Sequence, residues 1–511
     1  MGEVVLRLEG ITKNFGALKA NENVSLNLEK GEVLALLGEN GAGKTTLMNI
    51  LFGQYTADSG RVEVFGKTLP PGMASAALDA GVGMVHQHFT LAHNLSVLEN
   101  VILGTSSLWS WKLRYKQARQ QLLELANRYH LKINPDAKVS ALSVGERQRV
   151  EILKALFRQA KILILDEPTA VLTPQETESL FKTLTEATEQ GLSIIFISHK
   201  LHEVMKIAQK VAILRHGKLI ATKETRETSP NELAALMVGN PIRPPAVTER
   251  GAGPVLMELL NVSTESQHHS KGLKNVSLRL CSGEIVGLAG VSGNGQTSIA
   301  DLVAGLISPS EGKLHLDGKP IDQWSPRQSV LSGIARIPED RHHAGTVADF
   351  SLTENSIIER YRDQPFARHG WVNWQAAEGF TQELIRQYDV RCPGPDTRIR
   401  LLSGGNMQKL ILGRVLQNDP RVILAHQPSR GLDIGAVHYV HKKLLEARQK
   451  GATILLISED LDEILQLSDI IHVASAGRIS PPFQRGKITP TELGGWMSGA
   501  AFAKQETLHA P

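Results

Sequence analysis

Residues 38–45 read GENGAGKT and fit the pattern G-x-x-x-x-G-K-[ST], which constrains the fold more than any other stretch of the chain. The apolar residues 33–37 read as a buried strand entering this loop, and residues 45–52 read as a helix leaving it. Glycines let backbone N–H groups turn toward phosphate oxygens, and the helix N-terminus adds positive potential. The stretch therefore predicts a nucleoside triphosphate site, in which Lys44 binds the β- and γ-phosphates and Thr45 binds Mg²⁺.

Length and composition narrow the remaining possibilities. A chain of 511 residues is too long for one hydrophobic core, so two or three domains are expected. The net charge of +4 is small for this length and argues against a strong nucleic-acid or membrane-surface binder. The two cysteines form no C-x-x-C pair, which indicates reduced thiols. No apolar run approaches the roughly 18 residues of a membrane helix, so a membrane role would require a partner.

The second half of the chain repeats the first. Residues 23–26 return as residues 275–278 with the same letters, NVSL, and LSVG at 142–145 returns as LSGG at 402–405. Self-similarity over this length predicts two homologous domains, at 1–240 and 254–500. The proline-rich residues 241–253 between them are predicted to form an extended, semi-rigid linker.

The hydrophobic pattern of the first copy indicates an α/β fold. Apolar runs with strand character alternate with stretches that have helical periodicity. Such alternation predicts a mainly parallel sheet covered by helices on both faces. The predicted strands are residues 4–8, 24–28, 33–37, 61–65, 82–85, 161–165 and 193–197, and the further predicted helices are residues 112–130, 145–158 and 175–188.

Two short motifs of the first copy carry chemistry. Asp166 and Glu167 follow the strand 161–165, and the carboxyl end of a parallel strand lies beside the phosphate loop. Asp166 can hold Mg²⁺ through water, while Glu167 can orient or deprotonate an attacking water. A helix cap remains the alternative for this motif alone. Residues 142–149 form a Ser/Gly turn opening a helix, which could bind an anion, although a simple helix cap is favoured for it by itself.

Taken together and in order, these motifs resemble those of the ATP-binding cassette (ABC) ATPases. The set occurs twice, and the resemblance covers nearly the whole chain. The resemblance implies a P-loop NTPase fold with two tandem ABC ATPase domains, each with a mainly parallel core sheet and a helical subdomain. In the first copy, residues 88–142 would form that subdomain. Phe15 resembles the aromatic residue that stacks on adenine, Gln87 the glutamine that senses Mg²⁺ and water, and His199 the switch histidine on the γ-phosphate.

The family pattern implies ATP and Mg²⁺ as cofactors and assigns site residues by position. Catalysis is assigned to Glu167, His199 and Gln87, and Mg²⁺ binding to Thr45, Gln87 and Asp166. The assigned nucleotide contacts are Phe15, Gly38, Glu39, Asn40, Gly41, Ala42, Gly43, Lys44, Thr45, Thr46, Asp166, Ser403, Gly404 and Gly405.

The second copy keeps the scaffold and changes the chemical groups. Gln296 replaces the loop lysine, and Gln427 replaces the catalytic glutamate with an amide that cannot act as a base. The other replacements are Glu339 for Gln87, His426 for Asp166 and Glu459 for His199, while Gln267 falls near the position of Phe15.

The signature motifs show the opposite asymmetry. The second copy keeps LSGG at 402–405 and Asp433, whereas the first has Val144 in its signature and Thr173 where the family usually has aspartate. In the ABC family, each nucleotide lies between the phosphate loop of one domain and the signature of the other. The resemblance therefore implies one competent site, combining the first loop with Ser403, and one site that binds weakly or serves only structure.

Tandem domains with a lysine-less second loop and PEDR at 338–341 resemble the ATPase subunits of bacterial sugar importers. The run GMVHQHF at 83–89 resembles the branch that takes up nucleosides, and ribose and galactose importers are close relatives. The resemblance implies integral-membrane permease subunits as partners, an indirect link to an extracytoplasmic solute-binding protein, no nucleic acid, and a peripheral position on the cytoplasmic face of the cell membrane. One rival is a soluble ABC protein acting on the ribosome, which usually has a long charged helical linker and two intact sites. A second rival is a pure binding or regulatory module, which would need the first site to be silent, and Glu167 argues against it.

Overall fold

A computed structural model describes residues 2–16, 18–39, 41–86, 89–105, 115–169, 172, 174–198, 200–239, 251–266, 271–321 and 323–502. Contacts divide the chain into two units, Met1–Arg243 and Pro244–Pro511. No helix within the described ranges is long and apolar enough to cross a membrane. Several of the residues singled out above fall outside those ranges, namely Asn40, Gln87, Thr173, His199, Gln267 and most of the linker 241–253.

Unit one contains a mainly parallel sheet and a separate antiparallel sheet. The strand order is β10-β9-β3-β8-β7-β6 in the first and β2-β1-β4-β5 in the second. The strands are β1 (Val4–Phe15), β2 (Leu18–Glu29), β3 (Val33–Leu37), β4 (Ser59–Val64), β5 (Lys67–Thr68), β6 (Val82–Val85), β7 (Ile162–Asp166), β8 (Ser193–Ile197), β9 (Lys210–Arg215) and β10 (Lys218–Glu224). The helices are α1 (Lys44–Leu51), α2 (Ala74–Asp79), α3 (Val97–Ile102), α4 (Tyr115–Arg128), α5 (Val144–Phe157), α6 (Pro174–Glu189), α7 (Leu201–Ile207) and α8 (Pro230–Val238).

The burial of each strand explains its place. Every residue of β3 and β8 is buried, as a parallel strand covered on both faces requires. One hydrophobic core joins both sheets to α1, which contributes Leu47, Met48, Ile50 and Leu51. This core fixes α1 directly after β3, so the loop between them opens at the carboxyl end of the parallel strands.

Unit two repeats this architecture. Its main sheet has the order β16-β19-β20-β13-β21-β22, with β23 also paired to β21, its second sheet has the order β12-β11-β14-β15, and β17 pairs with β18. The strands are β11 (Val255–Ser263), β12 (Val276–Cys281), β13 (Ile285–Gly290), β14 (Glu311–Leu316), β15 (Lys319–Pro320), β16 (Ile334–Ile337), β17 (Ala367–Arg368), β18 (Trp371–Val372), β19 (Val422–His426), β20 (Thr453–Ser458), β21 (Ile470–Ser475), β22 (Arg478–Ile479) and β23 (Phe483–Gln484). The helices are α9 (Gln296–Val303), α10 (Pro326–Leu331), α11 (Leu352–Ile357), α12 (Trp374–Gln387), α13 (Gly404–Leu416), α14 (Ile434–Gln449), α15 (Leu461–Leu467) and α16 (Pro490–Met497).

The predicted fold class is confirmed, with a mainly parallel core sheet in each unit. The predictions for residues 4–8 and 24–28 were too short, because β1 continues to Phe15 and β2 already begins at Leu18. The extra residues pair with each other through an irregular register around Gly10, which has a φ of 58°. A β-bulge of this kind breaks the period-two pattern from which strands are predicted.

Candidate nucleotide-binding site

The phosphate loop of unit one is a tight turn that only glycine permits at its key positions. Gly43 precedes α1 with a φ of 99°, and a Cβ atom there would lie 2.2 Å from the Ala20 carbonyl oxygen. Lys44 Nζ donates hydrogen bonds to the carbonyl oxygens of Gly38 at 2.6 Å and Glu39 at 3.0 Å. The lysine side chain is thus folded over its own loop, while Thr45 is exposed on the first turn of α1.

Asp166 and Glu167 lie at the carboxyl end of β7. Burial raises the pKa of the Asp166 carboxyl, the Glu167 charge raises it further, and the positive charge of Lys44 acts in the opposite direction. Lys44 and Asp166, which the sequence analysis assigns to the same site, are therefore close enough for the charge of one to affect the other. Glu167 has a φ of 47°, and its backbone N–H donates to the Ile197 carbonyl at 2.9 Å.

These groups suit a divalent cation bound with phosphate. A partly buried carboxylate whose pKa is raised by desolvation and by a second carboxylate is stabilised when a cation binds beside it. Mg²⁺ is usually held by one or two carboxylates, substrate phosphates and waters rather than by a cage of protein groups. Asp166 and the exposed Thr45 hydroxyl fit that donor set.

Phe15 ends β1 with 47% of its surface exposed, as a residue that stacks on a base requires. The Tyr55 ring meets it edge-on at a centroid distance of 5.7 Å, and Lys13 Nζ lies 5.5 Å from its centroid. The Asp58 carboxylate accepts a hydrogen bond from Lys13 Nζ at 3.0 Å. The aromatic surface is therefore fixed by its neighbours while remaining open to solvent.

Asn21 supports the loop and was missed by the sequence analysis. Its fully buried side chain donates from Nδ2 to the Gly43 carbonyl at 3.2 Å. In unit two the matching position, two residues before the repeated NVSL, is the buried Leu273. The sequence signal that could have identified Asn21 is the difference between the two copies, since a polar residue in the first copy corresponds to an apolar one at the same position in the second.

The loop of unit two is closed on itself by Gln296. This side chain is 5% exposed; its Nε2 donates to the Val291 carbonyl at 3.1 Å, and its Oε1 accepts from the Asn294 N–H at 3.1 Å. Gln296 thus satisfies loop polar groups with a neutral amide and supplies no charge for a phosphate.

The position of Asp166 is occupied in unit two by the buried His426. Burial, together with the charges of Arg336 and Arg430, lowers the pKa of His426 to about 4. The imidazole is therefore neutral at pH 7, so its 3.5 Å contact with the Glu339 carboxylate is not an ion pair. Glu339 instead forms an ion pair with Arg430.

Gln427 keeps the backbone of Glu167 without its carboxylate. Its φ is 51°, and its N–H donates to the Ile457 carbonyl at 2.8 Å, which matches the bond made by Glu167 in unit one. Its side-chain oxygen accepts a hydrogen bond from the Glu459 N–H at 3.4 Å.

Both signature turns cap helices. Ser143 and Glu146 form a reciprocal capping box at the start of α5, which confirms the helix cap favoured for that motif alone. Ser403 caps α13 and accepts from Asn406 Nδ2 at 3.0 Å. Gly404 and Gly405 follow it, and a Cβ atom on either would meet its neighbours only at ordinary van der Waals distances.

Arg341 links this second signature turn to the segment before Asp433, a contact that sequence analysis did not identify. Its Nη2 donates to the Arg430 carbonyl at 2.8 Å, and its guanidinium carbon would lie 3.6 Å from a Cβ atom on Gly404. Burial lowers the pKa of Arg341. The arginine ends the PEDR stretch, so its position in that motif was the available signal.

Comparison with known proteins agrees with this geometry. The sequence profile of the ABC transporter family matches residues 21–170 and 273–430, once in each unit. The nucleoside import ATP-binding protein NupA of Lactococcus lactis subsp. cremoris is 41% identical over 500 residues, covering 97% of this chain and 98% of that protein. The guanosine import ATP-binding protein NupO of Bacillus subtilis is 43% identical over 501 residues, covering 98% of each. Among solved structures, the archaeal ribosome recycling factor aABCE1, in complex with the stalk protein aP1, matches with a TM-score of 0.62 at 20% identity. The match covers 93% of this chain and 90% of that one, and at this identity it shows a likeness of fold alone.

Proposed function

This chain belongs to the ABC transporter family, and from that premise we propose that it is the ATP-hydrolysing subunit of an importer for a nucleoside or a simple sugar. The observation that carries the proposal is the near-complete match to two import ATP-binding proteins, at 41% and 43% identity, whose names specify nucleoside and guanosine. A nucleoside is therefore the first cargo to test, and ribose- or galactose-like sugars are the second.

Hydrolysis is assigned to unit one. Lys44 binds the β- and γ-phosphates by exchanging the two loop carbonyls that it contacts in this structure for phosphate oxygens. Phe15 stacks on the adenine, and Glu167 orients the attacking water and accepts its proton. Gln87 and His199 are proposed for the same site on their sequence positions.

Mg²⁺ is proposed to be held by Thr45 and Asp166, with Gln87 as a further ligand on its sequence position. When bound, the ion neutralises negative charge on the phosphates. Its charge also favours ionised Asp166, whose pKa is otherwise raised by burial.

Unit two is proposed to contribute its signature rather than its phosphate loop. Gln296 and Gln427 are neutral amides and His426 is uncharged at pH 7, so none of them provides a cation for phosphate, and the amide of Gln427 cannot act as the general base. Ser403, Gly404 and Gly405 are proposed to contact ATP on their sequence positions. A Ser403→Arg variant should then reduce turnover as severely as Lys44→Ala, and combining the two should add little further loss.

The partners are proposed to be integral-membrane permease subunits, which would hold the chain at the cytoplasmic face of the membrane and receive cargo from an extracytoplasmic solute-binding protein. The test uses a tagged Glu167→Gln chain, expected to keep ATP bound. It is incubated with Mg-ATP, purified from detergent-solubilised membranes, and the co-purified proteins are identified.

Permease subunits in the purified complex would support the importer, and their solute-binding protein would then be titrated with nucleosides and sugars. Ribosomal proteins without a permease would refute the import function and favour the soluble rival. Wild-type chain without Mg-ATP is the control for nonspecific capture.

A further inference from the structure

A buried carboxylate outside the assigned site joins the two segments that carry Glu167 and His199. Glu203 lies in the first turn of α7 with only 2% of its surface exposed. Its Oε2 accepts a hydrogen bond from Thr169 Oγ1 at 2.5 Å and a second from Ser198 Oγ at 3.3 Å. Lys200 Nζ lies 3.4 Å from its Oε1. The charge is thus buried and hydrogen-bonded, as burial of a carboxylate requires.

The two hydroxyl groups occupy informative places in the sequence. Thr169 comes two residues after Glu167, and Ser198 comes one residue before His199. Both side chains are 2% exposed, so neither exchanges its partner readily with water. Their strands β7 and β8 are adjacent, with Asp166 paired to Ile197. Glu203 therefore fixes the turn after β7 to the turn after β8 through side chains as well as through the sheet.

Unit two keeps the glutamate but not these bonds. Glu463, like Glu203, is the third residue of its helix and is 2% exposed, yet its Oε1 pairs with His441 Nε2 at 2.9 Å. Its Oε2 has no hydrogen-bond partner among the residues described for this unit.

The position of His441 is filled by a different kind of residue in unit one. His441 is the eighth residue of α14, and Phe181 is the eighth residue of α6. The Phe181 ring packs against Phe196 at a centroid distance of 6.0 Å and offers no polar atom. In unit one the carboxylate consequently bonds to the hydroxyl groups of the two turns, whereas in unit two it bonds to an imidazole on a helix.

We propose that Glu203 is a positioning residue for ATP hydrolysis, acting through Thr169 and Ser198 to hold the Glu167 and His199 segments in one arrangement. The inference rests on the proposed function of unit one. Breaking the bridge should reduce kcat while leaving ATP affinity intact, because Lys44 and Phe15 lie on other elements.

The test measures kcat, KM and nucleotide affinity for the full chain with Thr169→Val, which removes the hydroxyl at nearly constant shape, and with Thr169→Ser, which retains it. We expect kcat of Thr169→Val to fall about ten- to a hundredfold, the range covered by one hydrogen bond to a charged group. Thr169→Ser should restore most of this loss, and Glu203→Gln combined with Thr169→Val should lose little more than either alone. Glu463→Gln is the matched control and should keep the wild-type kcat.

A wild-type kcat in Thr169→Val, or additive losses in the double variant, would overturn the inference. Melting temperatures show whether a variant has lost activity because it is less stable. A loss of kcat that Thr169→Ser does not restore, and that grows as the melting temperature falls, would indicate a purely structural role and would also overturn the inference. If the wild-type chain hydrolyses no ATP, the proposed function fails and this inference fails with it. If the wild type is active and Thr169→Val is equally active, only this inference fails.

Discussion

Lys44 and Gln296 occupy the same position of two phosphate loops, and replacing each by alanine should have opposite consequences. Lys44→Ala removes an ammonium that would make charge-assisted hydrogen bonds to phosphate, each worth about 1.5–3 kcal/mol. The loss of one such bond should lower kcat/KM by roughly ten- to a hundredfold, and the loss of two bonds should lower it by the product of the two factors. Lys44 is only partly buried, so water can take its place at the carbonyl oxygens of Gly38 and Glu39, and the melting temperature measured without nucleotide should change little when the lysine is removed.

Gln296→Ala removes two hydrogen bonds from a side chain that is 5% exposed. The Asn294 N–H and the Val291 carbonyl lose their partner, which costs about 1–3 kcal/mol in the free energy of unfolding. For a unit of this size each kcal/mol lowers the melting temperature by about 2–4 °C. Catalysis should be unaffected, because the neutral amide supplies no charge to a phosphate.

The assay compares steady-state ATP hydrolysis and thermal unfolding of the full chain in wild type and both variants at saturating Mg²⁺. The expected pattern is an inactive Lys44→Ala with a nearly wild-type melting temperature and an active Gln296→Ala with a lowered one. Equal losses of kcat/KM in two folded variants would refute the asymmetry between the units. A Gln296→Ala variant that is inactive but fully stable would refute the purely structural role assigned to this glutamine.

Three further predictions concern the groups at the ends of β7 and β19. Glu167→Gln should lower kcat by at least about a hundredfold while ATP affinity stays at the wild-type value in an equilibrium binding assay, and a parallel loss of affinity would contradict the role of Glu167 as base. Because burial raises the pKa of Asp166, its ionised form destabilises the folded protein once the pH rises through that pKa. Asp166→Asn should therefore raise the melting temperature measured at pH 7.5 without nucleotide, and it should reduce the stabilisation that Mg-ATP gives. A lower melting temperature of the variant without nucleotide would contradict this. The pKa of His426 is about 4 in the folded protein against an ordinary 6.5, so the unfolded chain binds the proton first as the pH falls. Between pH 7.5 and pH 5 this group should lower the unfolding free energy of the wild type by about 2 kcal/mol. In urea titrations at the two pH values, His426→Asn should lose correspondingly less.

Local patterns predicted the parts of the fold that depend on continuous burial. The apolar runs at 33–37, 82–85 and 193–197 are strands with those same bounds. By contrast, β1 and β2 extend well beyond their predicted ends, since polar residues on a solvent-facing side and the bulge near Gly10 hide the strand period. The pairing that defines these extensions is made between strands, so it has no signature within either one.

The same distinction applies to the site. The phosphate loop and the Asp166–Glu167 pair could be predicted because fixed spacing in the sequence encodes their backbone geometry. The partners of Asn21 and Glu203 could not be predicted, because they lie 22 and 34 residues away and the hydrogen bonds exist only once the strands are assembled.

Comparing the two units shows which features of the turn after β7 and β19 depend on the sheet and which depend on the side chains. Glu167 and Gln427 both adopt a left-handed conformation, which is costly for a residue with a side chain. In both units the backbone N–H of this residue donates to a carbonyl near the end of the neighbouring strand, that of Ile197 or Ile457. Since this bond closes the sheet regardless of the side chain, the turn persists in unit two after the carboxylate has been replaced. The strained turn is therefore a property of the fold, and the capacity to hydrolyse ATP depends on the side chains placed on it.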